Sequence, residues 1–388
     1  MEETYDAIVL GTGLKECVLS GLLAVKGKKI LHIDRNDYYG GETASLNLTN
    51  LWKKFRPNAT PPKQYGHNRD WNVDLIPKFI MADGKLVKML LHTKVTKYLE
   101  WKCVDASYVC QQQAAGWISS AKMAVCKVPA NDMEALKSNL MGLFEKKRLI
   151  NLYKFVAQVD PNNKATWNNM DLLHQPMSDV FAHYKVEDNT IDFLGHAVAL
   201  HYSDAYLYEP AMDTILKMQL YLQSVGRYGD SCFLYPIYGL GGLPEGFSRL
   251  CAIHGGTFML NKPVDEITFD ANGKVTGIRC GNETAKAPIV ICDPSYTTND
   301  RLKPAGKVVR AICLLDHPIP NTNNATSVQI ILPAKQLGRH TGKFNNPNNI
   351  YLDTYISMVS SSHQICAQGI FVAIVSTTVE SGNPEKEL

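Results

Sequence analysis

The residues from Thr4 to Glu42 constrain the fold more than any other stretch of this chain. Tyr5-Asp6-Ala7-Ile8-Val9-Leu10 is a short apolar run, Gly11-Thr12-Gly13 turns it, and Leu14, Cys17, Val18, Gly21, Leu22 and Val25 then recur at helical spacing. A second apolar run, Lys29 to Ile33, ends on Asp34, which lies 21 residues past Gly13, where an acidic side chain would meet a ribose hydroxyl. Strand, glycine turn, helix and strand make the βαβ unit of a dinucleotide-binding fold. The phosphate cradle of such a unit wants glycine three residues after Gly13, so that backbone amides at the helix mouth can approach the ligand. Glu16 stands there instead. Its bulk narrows the approach and its carboxylate answers the helix dipole a phosphate would use, although an acidic residue in a first helical turn also needs no functional explanation.

At 388 residues the chain exceeds the usual single-core size, so two domains are expected. Hydrophobic residues at 45% and charged residues at 20% suit a soluble globular protein and exclude disorder. A net charge of +3 is too weak to argue for nucleic acid or a membrane surface by electrostatics alone. The ten cysteines include no Cys-x-x-Cys pair, so metal ligation and redox catalysis lose support, and most should be reduced core thiols. No apolar run nears membrane-spanning length, and Met1-Glu2-Glu3 does not open a signal peptide.

The periodicity predicts helices through the middle of the chain. Asn131 caps one whose face is Met133, Leu136, Leu140, Leu143 and Phe144. Lys146-Lys147-Arg148 interrupts it, and Leu149, Leu152, Tyr153 and Val156 begin a second stripe. Ser178 caps a short helix, and Ile191 to Leu200 and Ala211 to Val225 are two more. Strand patterning returns with Phe233-Leu234-Tyr235, Phe258-Met259-Leu260, a hairpin turning at Asn272-Gly273, and Pro288 to Asp293. Between Tyr235 and Phe258, Pro244 opens a helix with Phe247, Leu250, Cys251 and His254 on one face.

Catalytic patterns are missing: there is no Gly-x-Ser-x-Gly elbow, no His-Glu-x-x-His and no Gly-Lys-Ser phosphate loop. His32, His196 and His254 read as core or capping residues. Tyr39, on a glycine-flanked loop, is either presented or packed in its turn. Arg249 lies about 200° around its helix from Phe247 and faces solvent, free or paired with Glu245.

Asp34-Arg35-Asn36-Asp37-Tyr38-Tyr39-Gly40-Gly41-Glu42 resembles the Rab GDP dissociation inhibitor family. So do Gly11-Thr12-Gly13-Leu14, Arg69-Asp70-Trp71-Asn72-Val73-Asp74-Leu75-Ile76-Pro77-Lys78 and Tyr238-Gly239-Leu240-Gly241, in order and over nearly the whole chain. The resemblance implies a flavoprotein-like α/β fold. In it a mainly helical domain, 92–226, interrupts a Rossmann-like domain made of 1–91 and 227–388. It implies no enzyme and no cofactor. The expected protein is a cytoplasmic regulator, with transient peripheral membrane contact, that binds GDP-bound prenylated Rab GTPases, slows GDP release and extracts them from membranes.

By the same resemblance Tyr39, Arg69, Arg249, Thr257 and Met259 form the platform for the Rab switch regions. Gly242 departs from the acidic residue the family places there, a loss worth about 1.5–3 kcal/mol if that carboxylate made a charge-assisted hydrogen bond. Rab proteins carry geranylgeranyl chains, each leaving on the order of 10 kcal/mol of apolar surface in water unless a cavity takes it. Candidate walls are Leu143, Phe144, Leu152, Phe193 and Ile215, which core packing would explain equally. Arg227 and Tyr228, flanked by Gly226 and Gly229, resemble the family's mobile membrane-engaging loop. Gln111 to Cys126 departs from the family's short hairpin and reads as an inserted loop. Relatives continue beyond the position of Leu388 and bring a strand and helix back onto the first domain, without which sheet or core surface would be exposed. The alternatives are a Rab escort protein, which shares platform and fold, and an FAD-dependent oxidoreductase, which Glu16 disfavours.

Overall fold

The computed structural model describes residues 3–113, 122–129, 134, 142–298, 301–337 and 352–388. Its first element is the expected βαβ unit. Ala7–Leu10 and Ile30–Ile33 pair in parallel at the centre of a four-stranded sheet, with Thr257–Met259 on one side and Val290–Cys292 on the other. Parallel neighbours need a crossover, which the Leu14–Val25 helix supplies. All eight residues of the two central strands are buried, as a sheet covered on both faces requires. Gly11 turns the chain into the helix at φ 91°, a conformation costly to any residue with a Cβ.

The buried stripe of that helix differs from the expected one. Cys17, Ser20, Gly21 and Ala24 face inward, whereas Val25 is exposed. The cause is the Gly242–Ile253 helix packed across it: a Cβ on Gly21 would stand 3.3 Å from the Phe247 carbonyl oxygen, so small residues must line the contact. In the Gly242–Ile253 helix Phe247, Leu250 and Cys251 are buried as expected, but His254 is exposed because the helix ends one residue before it.

A six-stranded sheet runs in the order Val308–Leu315, Phe371–Thr378, Thr354–Ser360, Val328–Leu332, Ala106–Gln113, Lys122–Lys127. The last two form an antiparallel pair, so the segment expected as an inserted loop begins and ends as strand. Ala106, Tyr108 and Cys110 alternate inward against Val328 and Ile330, the period of a strand and not of a loop. Residues 114–121 lie outside the described residues.

The helices between these sheets share one large core, to which Phe155, Val156, Phe181, Leu194, Ile215 and Met218 contribute. Leu143–Gln158 is a single helix that runs unbroken through Lys146-Lys147-Arg148. Lysine and arginine are good helix formers, and Arg148 holds the buried Glu145 at 3.0 Å and Glu187 at 2.9 Å. The expected cap at Asn131 and the stripe from Met133 to Leu140 lie outside the described residues. Pro176 rather than Ser178 precedes the Met177–Tyr184 helix. The helix expected over Ile191 to Leu200 is a short α-helix, Asp188–Asp192, followed by a π-helical turn, Phe193–Val198. Within that turn His196 bonds Asp353 at 2.7 Å and Asp204 at 3.0 Å, pinning the helices to the six-stranded sheet. Burial opposes its charge, but the hydrogen bonds it donates to Asp204 and Asp353 outweigh burial and raise its pKa to about 10. The ten cysteines are free and six are buried, and no helix among the described residues is long and apolar enough to cross a membrane.

Candidate functional site

Thr257–Met259 is the edge strand of the parallel sheet, in register with Leu31, His32 and Ile33. Side chains alternate across it. Phe258 stacks on His32 at 4.6 Å on the face covered by the helices, while Met259 packs with Leu31 and Ile33 on the opposite face. Thr257 is exposed. Tyr39 meets Phe258 edge-on at 5.9 Å, a geometry worth about 0.5–1.5 kcal/mol beyond burial. Burial raises its hydroxyl above the ordinary range, with Cys17 and Glu245 adding to the effect.

The Gly-Thr-Gly turn places Tyr39. Thr12 donates to Asp34 through its amide at 2.7 Å and its hydroxyl at 2.6 Å, and the Thr12 carbonyl and hydroxyl accept from the Gly40 amide at 3.0 and 3.1 Å. Gly40 turns at φ 101°. The tyrosine loop is therefore tied to the strand end that in a nucleotide-binding protein serves a ligand.

Arg249 is exposed, and its guanidinium sits 4.5 Å over the Tyr98 ring. No ion pair joins it to Glu245 among the described residues, so the local pairing is not formed. Burial raises the Glu245 carboxyl above the ordinary range. At Gly242 a Cβ would stand 3.0 Å from the end of Leu99, so a larger residue there needs Leu99 to move. Arg69, on the Asn68–Asp70 turn, is 84% exposed and 3.8 Å from Asp70. Among the described residues no hydrogen bond, ion pair or ring contact links it to the other four platform candidates. The structure thus sets Thr257, Phe258 and Met259 on one edge strand, with Tyr39 against Phe258 on the helix-covered face and Met259 on the opposite face, places Arg249 on the neighbouring helix, and leaves Arg69 apart.

The sequence reading missed Phe258, Tyr98 and Asp74. Strand alternation between Thr257 and Met259 could have exposed the first. Asp74 is buried and accepts from Ser45 at 2.5 Å, the Leu240 amide at 2.8 Å and the Tyr235 hydroxyl, fixing the Tyr238-Gly239-Leu240-Gly241 turn that starts the Arg249 helix. Burial raises its carboxyl despite those donors.

A cleft of about 870 Å³ remains where a flavoprotein-like fold would hold FAD, lined by Gly11, Gly13, Glu16, Arg35, Asp293 and Tyr296 among others. The residues do not fit that cofactor. Glu16 folds back over the helix mouth, its Oε2 2.6 Å from where a Gly13 Cβ would stand, and its Oε1, buried without a hydrogen bond, lies 3.3 Å from the Lys15 ammonium. Asp34 is spent on Thr12 and on Asn36, whose amide lies at 2.8 Å, leaving no carboxylate oxygen for a ribose. Arg35 is occupied too, 3.8 Å over Tyr296 and bonded to Ser295. Glu16, Glu42 and Asp293 line this cleft beside Lys15 and Arg35, so three carboxylates border the space a diphosphate would have to enter.

A model of the GDP dissociation inhibitor family matches residues 1–388. The chain belongs to the GDP dissociation inhibitor family. It is 51% identical to guanosine nucleotide diphosphate dissociation inhibitor 1 of Arabidopsis thaliana over 389 residues, which span all of this chain and 82% of that relative. A second inhibitor from that plant is 51% identical over the same span and 83% covered. Among solved structures, a Rab GDI from Plasmodium falciparum superposes with a TM-score of 0.90 at 52% identity, covering all of this chain and 85% of that one. An oxidoreductase from Methanosarcina mazei superposes at 0.59 with 13% identity over 99% of this chain and 81% of its own, which shows the flavoprotein-like fold alone.

For a member of this family the remaining candidates fall in two groups. Leu152, Phe193 and Ile215 are buried together in the helical core. Leu143 and Phe144, at the start of their helix, are 77% and 79% exposed, so the five do not share one wall. Arg227 is anchored: its guanidinium lies 2.8 Å from the nearly buried carboxylate of Asp83 and 5.8 Å from the Tyr228 ring. Gly226 turns at φ 71°, and Tyr228 is 50% exposed.

Proposed function

We propose that this GDP dissociation inhibitor family member binds GDP-bound Rab GTPases, clamps their switch regions and slows GDP release, making and breaking no bond. The carrying observation is the edge strand Thr257–Met259, on which Tyr39 rests against Phe258, with Arg249 on the adjacent helix joined to no acid among the described residues. Two hydrogen-bonded anchors, Thr12 and Asp74, hold the loops that carry these residues, so the edge is preorganised. Arg69 would join from the side once a partner is bound. The platform belongs to a Rossmann-like domain, 1–91 and 227–388. The helical domain, 92–226, lends it the paired strands Ala106–Gln113 and Lys122–Lys127.

The lipid of a prenylated Rab enters the helical domain beside Leu143 and Phe144 and parts the packing of Leu152, Phe193 and Ile215. Burial of the chain supplies on the order of 10 kcal/mol for that opening. Arg227 and Tyr228 touch the membrane transiently while a Rab is lifted into the cytosol. The test compares one Rab–GDP with and without its geranylgeranyl group. The prenylated form is expected to bind at least tenfold tighter, and equal affinities would refute the lipid site.

A further inference from the structure

The geometry points to a second membrane-facing element that no part of the family assignment supplies: the Lys85–Thr93 helix and the turn after it form a basic strip that docks on an anionic lipid surface. This deepens the proposed function and rests on it for why membrane contact matters. From Gly84 to Leu99 the chain carries four lysines and no acidic residue. Val87 and Leu90 anchor the helix in the core, which turns Lys85, Lys88, Leu91 and His92 outward. Lys94 and Lys97 are exposed in the following turn, where Lys94 adopts φ 59° and ends the helix. Leu91 is 50% exposed among these cations. Cations interleaved with an exposed leucine suit the headgroup layer of a bilayer, where the apolar side chain is buried and each charge meets a phosphate.

Asp83 couples the strip to the Arg227–Tyr228 loop. Its two oxygens take Lys88 and Arg227, each at 2.8 Å, so helix and loop are held as one surface. The nearest acid in the chain beyond the strip is Glu100. No ion pair or hydrogen bond neutralises Lys85, Lys94 or Lys97 among the described residues, leaving these cations for an external anion. An acidic protein surface could use the charges but gives no role to the exposed apolar surface of Leu91 on the helix and Tyr228 on the loop that Asp83 joins to it.

The experiment sediments the full chain with vesicles of phosphatidylcholine alone or mixed with phosphatidylserine, at low and high salt. The wild type should bind the phosphatidylserine vesicles, release in salt, and ignore the neutral ones. A lysine near an anionic surface contributes about a fivefold gain, so the triple variant Lys85→Gln, Lys94→Gln, Lys97→Gln should bind about a hundredfold more weakly. Leu91→Ser should weaken binding without changing the salt dependence. Affinity for a soluble Rab–GDP should stay unchanged in the triple variant, so failure of Rab binding by the wild type would sink the proposed function and leave the strip standing. Equal binding by triple variant and wild type, or indifference to lipid charge, would overturn the inference. So would loss of affinity for Rab–GDP with vesicle binding intact, which would assign the strip to a protein partner.

Discussion

The buried charge at His196 makes a testable demand on stability. The imidazolium is held between Asp353 and Asp204 at a pKa of about 10, against 6.5 when free. A base whose folded pKa is raised stabilises fully below the unfolded value and loses that contribution as pH climbs toward the folded one. Linkage between these two values gives about 4–5 kcal/mol at pH 6, about 3 at pH 8 and about 1 at pH 9.5. The control is the double variant His196→Gln, Asp353→Asn, which keeps donors and acceptors but removes both charges. Urea unfolding of both proteins across pH 6 to 9.5 reads the difference, and subtraction cancels titrating groups elsewhere. The stability advantage of the wild type should shrink by about 3–4 kcal/mol over that range. A difference that stays flat, or that grows by about 1 kcal/mol as pH rises, would show that His196 is not held as an imidazolium in the folded protein and that the pin is an ordinary hydrogen bond.

Leu152→Ala should cost about 2–5 kcal/mol because the side chain is fully buried, whereas Phe144→Ser should stay within about 0.5 kcal/mol; paired unfolding curves check both. Asp74→Ala orphans the Ser45, Tyr235 and Leu240 donors and should lower stability by at least about 2 kcal/mol by urea unfolding. Burial raises the Glu16 carboxyl, so the wild type loses stability as pH rises through the acid range. Glu16→Gln should therefore gain about 1 kcal/mol at pH 7 while binding no FAD, the second point checked by visible absorption.

Much of this architecture was legible in the residues. The Tyr5 to Asp34 run specified strand, turn, helix and strand because apolar period and glycine placement agreed, and the structure places them so. What resisted was set by tertiary partners. The buried face of the Leu14–Val25 helix is chosen by the helix crossing Gly21, and hydrophobicity alone pointed to Val25 instead. The lysines before Leu149 looked like a break, but a buried glutamate one turn away draws in Arg148 and the helix continues. At the candidate site the half-buried Tyr39 and the exposed Arg249 were named from the sequence, while the rings they rest on came from other elements: Phe258 was open only to strand alternation, and Tyr98 had no local signature. Nor did the sequence show that Asp34 is consumed by Thr12, since a free and an engaged carboxylate read alike in one dimension.

The most direct test of the whole account is the rate at which a Rab protein loses fluorescent GDP in the presence of this chain. Stoichiometric wild-type protein should slow release, and Tyr39→Ala or Arg249→Ala should each restore much of the free rate while melting at the wild-type temperature. Release unaffected by the wild type, or slowed equally by both variants, would contradict it.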